Sequence, residues 1–215
     1  CVGIVLDALK SSSYAENTLV VLWSDHGFHL GEKQHWAKRT LWEESTRVPL
    51  LIAGPGIQPG NPCKEPASLI DLYPTLLEAT QPKIPANVKL DGTSLMPLLT
   101  DTKAGLFRPA IYWHFPAYLQ SYARNDEQRD PLFRSRPCSI IRAGDYKLHE
   151  YFEDGGLELY NLKDDISAAR DRAKVLPERT SQMGAVLRRL FKQVQQETPT
   201  WPAWTWPRLE AQRIA

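Results

Sequence analysis

The stretch Leu19 to Trp23, LVVLW, restricts the fold more than any other. Five consecutive apolar residues, β-branched at the centre, leave no polar face to turn towards water. The run therefore reads as a strand covered on both faces in a parallel sheet. Ser24-Asp25-His26-Gly27 follows directly, at the carboxyl end of that strand, where open α/β sheets place their ligands. A second run of the same kind, Val48 to Ala53, is closed by Gly54-Pro55-Gly56. Between the two lies a loop that gathers Asp25, His26, His29, Lys33, His35 and Lys38. Such crowding of polar groups suits either a solvated surface loop or an ion site.

The flanking segments give an α/β chain with two kinds of sheet. CVGIVLDALK sets Val2, Val5, Leu6 and Leu9 at helical spacing, so one face is expected to meet a core. No initiator Met or capping residue precedes Cys1, and the chain is expected to be the C-terminal part of a longer one. LWEESTR reads as a short helix on which Arg47 would pair with Glu43 or Glu44. PASLIDLYPTLLEAT aligns Leu69, Ile70, Tyr73, Leu76 and Leu77, with Pro74 as a break or restart. DGTSLMPLL adds a turn and another short helix.

After Arg108 the pattern changes. AIYWHF is strand-like, and Ala117 to Pro137 reads as an extended loop. CSIIRAGDYKLHEYFEDGGLELYNL predicts three short antiparallel strands, with turns at 143–145 and 154–156. Pro177 suits a helix start, and Met183, Val186, Leu187, Leu190 and Val194 form its apolar stripe. The expected division is 1–108, 109–198 and a Trp/Pro-rich tail over 199–215. Trp201, Trp204 and Trp206 in that tail would serve either as core patching or as sugar-stacking surfaces.

Charge and composition remove several function classes. A formal net charge of +1 over 215 residues offers no footprint for nucleic acid or an anionic membrane. No apolar run is long enough to span a bilayer, and no signal segment is visible. Three scattered cysteines make neither a disulfide framework nor a zinc cluster. Free thiols are expected, a Cys63–Cys138 bridge being the alternative in an oxidising compartment.

Asp25-His26-Gly27, Leu30-Gly31-Glu32, Trp36-Ala37-Lys38, Glu44-Ser45 and Arg47-Val48-Pro49-Leu50 together resemble the second half of a type I sulfatase. The likeness is to the iduronate-2-sulfatase-like branch, and it continues through SLIDLYPTLLEA, LDGTSLMPLL, IIRAGDYKLHEYF and LELYNLKDD. It implies the C-terminal portion of an alkaline-phosphatase-like mixed or parallel sheet flanked by helices. A small antiparallel sheet with a packed C-terminal helix would follow. The implied activity is hydrolysis of a sulfate ester, with a sulfated saccharide or related ester as substrate. A periplasmic, lysosomal or secreted location goes with it. Such enzymes attack sulfur with formylglycine made from a C-x-P/A-x-R cysteine. Cys138 to Arg142 reads C-S-I-I-R, with Ile140 where Pro or Ala is required, so formylglycine is expected on a segment outside these residues.

The same resemblance assigns roles. Asp25 would ligate calcium or magnesium, both of which take oxygen donors. His26 would be a second metal ligand, a direct contact to sulfate, or a hydrogen-bonded loop residue. Lys38 would neutralise a sulfate oxygen in the transition state, the alternative being a solvated lysine. Gly27 would let main chain approach the ion. His35 and His114 are candidate substrate contacts, each with a structural alternative, while Trp36 and Trp42 read as packing. A phosphodiesterase or phosphonate monoester hydrolase of the same superfamily shares the Asp-His-Gly strand end. A non-catalytic fragment or binding module is the reading from another class.

Overall fold

The computed structural model describes residues 1–60, 62–82, 87–101, 103–120 and 133–195. Its elements begin with helix α1 (Val2–Lys10), strand β1 (Val20–Trp23), strands β2 (His29–Leu30) and β3 (Trp36–Ala37) and helix α2 (Glu43–Thr46). Strand β4 (Leu50–Ala53), helices α3 (Leu72–Thr80) and α4 (Met96–Thr100) and strand β5 (Ile111–Phe115) come next. The remainder is β6 (Leu119–Gln120), β7 (Phe133–Ser135), β8 (Cys138–Ala143), β9 (Tyr146–Tyr151), β10 (Leu157–Asn161) and helix α5 (Pro177–Gln195). Two compact units result. The first takes Cys1–Asp25 and Val48–Arg108, the second the described residues of His26–Arg47 and Pro109–Ala215.

In the first unit β1 and β4 pair antiparallel, Val20 opposite Ala53 and Trp23 opposite Leu50. The parallel pairing expected of these two runs is therefore corrected. Continuous apolarity reports burial on both faces and carries no information about strand direction. Nor is that burial complete within this chain, since Trp23 is 50% and Leu51 60% exposed. The apolar face of α1 behaves alike: Val2 and Val5 are exposed, and only Leu6 and Leu9 are half-buried.

Asp71 organises the rest of this unit. Ser68 and Asp71 form a reciprocal capping box around a short 3-10 turn, and α3 restarts at Leu72. Pro74 is tolerated because it lies in the first turn of α3, where the missing N–H would have had no helical partner. The Asp71 carboxylate, fully excluded from solvent, accepts from the backbone N–H of Ser68 at 2.7 Å and of Thr93 at 2.9 Å. Both terminal nitrogens of Arg108 complete its shell. Burial alone would raise this carboxyl's pKa, yet these donors hold it below the usual carboxylate value.

The second unit is built on the antiparallel sheet β10-β9-β8-β5. The meander over 138–161 is as expected, its turns falling at Gly144 and Gly155 with φ of +56° and +67°. Strand alternation then gives the sheet two faces. Ile141, Leu148 and Leu159 point to α5 and pack with Met183 and Leu187. Val186, expected on the same stripe, is 37% exposed, while the Val194 side chain lies outside the described residues.

Residues 26–47 pack against the other face. Trp42 stacks on His149 and meets Tyr160 edge-on, in a cluster with Leu162 and Ala168. This explains why β9 is buried on both faces although its sequence, YKLHEY, alternates polar and apolar. The 117–137 stretch, expected as a loop, begins and ends as a strand pair, β6 with β7. Cys1, Cys63 and Cys138 are not joined in a disulfide, Cys138 alone being buried. Trp201, Trp204 and Trp206 lie outside the described residues. No helix among the described residues is long and apolar enough to cross a membrane.

Candidate active site

The loop that follows β1 turns back on itself as a β2–β3 hairpin, His29 opposite Ala37 and Leu30 opposite Trp36. Gly31 at φ +122° makes the bend, with Lys33 and Gln34 also at positive φ. The hairpin returns the chain so that Lys38 meets His26: Lys38 Nζ lies 2.7 Å from His26 Nε2. An ammonium can only donate, so Nε2 is the acceptor. The Nδ1 of the same ring lies 2.7 Å from Gly27 O, a carbonyl that can only accept. Both contacts are satisfied by the tautomer that carries its proton on Nδ1 and accepts at Nε2. Lys38 retains two further N–H donors beyond the one directed to His26. Its neighbours Ala37 and Arg39 both hold left-handed backbone, φ +69° and +72°, a costly arrangement for non-glycine residues on either side of one lysine.

Helix α2 sets the height of the turn. Gly27 N–H donates to Ser45 O at 2.9 Å, and a Cβ at Gly27 would come within 1.9 Å of Glu44 O. The glycine is therefore required by the backbone of α2, a packing reason that its position in the sequence did not disclose. Gly27→Ala is expected to destabilise the protein by about 2–3 kcal/mol, because backbone and not a flexible side chain must yield. Chemical denaturation checks this, and an unchanged midpoint would mean the turn can shift.

Behind the turn, buried His29 Nε2 lies 2.8 Å from Thr40 Oγ1, which donates to Ser45 Oγ at 3.0 Å. His35 meets His29 edge-on at 5.6 Å, in the same hairpin as His26 and Lys38. His114 is placed elsewhere. It stands on the α5 side of the sheet, its Nδ1 2.9 Å from Ser139 Oγ and its ring against Phe152 and Phe191. The structure thus does not bring it to the face that the 26–47 loop covers. Burial pushes its pKa below the ordinary histidine value. The native ring stays neutral where the unfolded one takes up a proton. Stability supplied by His114 is therefore lost as pH falls through the ordinary histidine value, until the depressed native value is reached. His114→Asn should flatten that limb relative to the parent in pH-dependent melts. Superimposable slopes would contradict the assignment.

Asp25, at the end of a strand expected to be covered on both faces, is exposed. Its carboxylate suits a hard divalent cation, but such an ion takes six or more oxygen ligands. Among the described residues no three His, Cys, Asp or Glu side chains cluster as a cation site. His26 Nε2 is turned to an ammonium, so ligation there would require Lys38 to yield it. The donor set among the described residues therefore fits one carboxylate contribution to a cation and no complete site.

Glu43, Lys147, Lys33 and Trp42 support the loop, and of these Lys147 was not singled out from the sequence. Lys147, with no accessible surface, donates to Glu43 Oε1 at 2.7 Å across 104 residues of chain. Glu43 therefore pairs with Lys147 and not with Arg47, whose backbone N–H merely donates to Glu43 O. Lys33 stacks over Trp42 and donates to Ala168 O at 3.0 Å. Trp42 is a packing residue as expected, whereas Trp36 is 58% exposed. A lysine inside an alternating strand was the one available signal, and it reads identically when solvated.

The sulfatase family model matches residues 1–82. A sulfatase of Formosa agariphila is 55% identical over 76 residues, 35% of this chain and 15% of that protein. Arylsulfatase K of Xenopus laevis is 31% identical over 189 residues, 86% of this chain and 33% of the relative. The chain thus spans at most about a third of the length of these curated relatives. Among solved structures, a 2-O GAG sulfatase superimposes with TM-score 0.72 at 25% identity, over 94% of this chain and 42% of that one. A phosphonate monoester hydrolase from Silicibacter pomeroyi gives 0.66 at 25% identity, over 92% and 38%. The α/β fold expected from the sequence is the fold of these structures.

Proposed function

We propose, on the match of the sulfatase family model to residues 1–82 and the likeness to arylsulfatase K, that this chain forms the C-terminal part of a sulfuric ester hydrolase of that family. That enzyme releases inorganic sulfate from a sulfated saccharide or a related ester. In chain order, residues 1–108 would close the catalytic α/β domain and 109–198 would form the small sheet-plus-helix subdomain. The observation that carries the reading is the Lys38 ammonium held by His26, one residue beyond Asp25. His26 fixes the direction of one Lys38 proton, and the remaining two are placed to donate to non-bridging sulfate oxygens. Charge that builds on those oxygens as the S–O bond breaks is then met by a donor already oriented, at little reorganisation cost. His35 is assigned to the substrate side of the same hairpin.

Asp25 would contribute an oxygen ligand to calcium or magnesium, with His26 as second ligand or sulfate contact. When bound, the cation offsets negative charge on the sulfate. The formylglycine nucleophile is assigned to sequence other than these 215 residues, and with it a compartment outside the cytosol. The iduronate-2-sulfatase-like branch is retained as the finer assignment on the histidine at position 26. The curated relatives cited carry other names.

The phosphonate monoester hydrolase likeness sustains a second reading. Both are tested by titrating inorganic sulfate into the isotope-labelled chain and by comparing sulfate, phosphate and phosphonate monoesters on the enzyme that carries it. Sulfate should shift the His26 and Lys38 signals, and kcat/KM should be highest for sulfate esters. A higher kcat/KM on phosphonates would transfer the assignment, and absence of shifts at both residues would remove the anion site.

A further inference from the structure

Nothing in the sulfatase reading uses the buried pair Glu43–Lys147, yet its position is unusual. Lys147 is a central-strand residue of β9 with no accessible surface, and Glu43 opens helix α2, which is itself packed on the sheet. Arg142 Nη1 approaches the second Glu43 oxygen at 3.9 Å, and Thr46 Oγ1 lies 3.4 Å from Lys147 Nζ. Two ions removed from water at this depth contribute little net stability compared with an apolar pair of similar volume. What an ion pair adds that an apolar pair does not is direction. It holds α2 at one height over the sheet, and α2 holds the Gly27 amide through Ser45 O.

We propose that Glu43 and Lys147 are positioning residues for the His26–Lys38 pair, pinning α2 to the sheet so that the His26-Gly27 turn presents its imidazole to Lys38. The importance of that alignment for sulfate rests on the function proposed above, but the alignment itself does not. The chain of contacts runs Lys147 to Glu43, Glu43 along about half a turn of α2 to Ser45, Ser45 to Gly27, and His26 to Lys38. Lys33 on Ala168 O and Trp42 on His149 hold the same segment, and Trp42 O accepts from Ser45 N–H at 3.0 Å, so the ion pair acts beside these contacts.

The test is residue-resolved amide hydrogen exchange on the whole chain, without any sulfate ester. The parent is compared with Glu43→Gln, Lys147→Met and the double variant Glu43→Leu/Lys147→Met. The double variant removes both buried ions and leaves only Arg142, which keeps access to solvent, without its carboxylate, so the sheet should be kept. Its β9 amides should exchange as in the parent, while the Gly27 amide should exchange about 100-fold faster through local opening. Each single variant should release Gly27 at least as far. Parent-like protection of Gly27 in the double variant would overturn the proposal. So would equal loss of protection at Gly27 and β9, which would make the pair a general stabiliser. If sulfate-ester turnover were absent altogether, the exchange result would stand unaffected, so the two readings fail separately.

Discussion

Lys38→Ala should lower kcat for sulfate release about 10²- to 10³-fold in the enzyme that carries this chain, the loss typical of one preorganised charge-stabilising donor. The side chain is half-buried and its partner is the imidazole of His26, so its removal leaves no buried ion behind. The fold should survive, and the melting temperature serves as the control. The deficit should fall mainly in kcat, because contact with developing charge is stronger in the transition state than with the bound ester. Lys38→Arg should recover little, since a planar guanidinium cannot reproduce a point donor aimed at Nε2. Turnover within a fewfold of the parent would take Lys38 out of the site.

Arg108→Ala should have the largest effect on stability, a loss of about 3–5 kcal/mol in denaturant unfolding, because it strands a carboxylate that has no access to water. Two backbone donors, from Ser68 and Thr93, would remain where there were four. The acid limb provides an independent reading. Because the native Asp71 pKa is depressed, its contribution is present above the ordinary carboxylate value and lost as pH falls through the native one. Without the guanidinium, desolvation acts with less opposition and the acid transition should move to higher pH. Asp71→Asn in the Arg108→Ala background should recover part of the stability. A parent-like midpoint in Arg108→Ala would show that water replaces the guanidinium.

Much of the second unit was legible because its signals are local. Gly144 and Gly155 punctuate the meander, and Pro177 starts a helix with Met183 and Leu187 on one face. The site loop was legible as a cluster of donors, within which the structure sets Lys38 Nζ against His26 Nε2. What was not legible depends on partners distant in sequence. The direction of β1 against β4 has no residue signature. Glu43 has a plausible partner four positions on, so nothing in LWEESTR points 104 residues away to Lys147. His114 lies in a strand where alternation alone leaves open which face meets α5 and which meets the loop. The apolarity of LVVLW predicts cover over the strand that ends at Asp25, yet exposure at the strand end depends on what lies over it, a property that no window of sequence contains.

The double covering of β9 has a practical corollary for protein engineering. A hairpin carrying His26 and Lys38 cannot be transplanted by copying residues 24–39, since its elevation is dictated by a four-residue helix and a strand more than a hundred positions later. The smallest exportable module is the 26–47 excursion together with the β8–β10 meander, and Gly27 and Lys147 are the two letters a graft could least afford to rewrite.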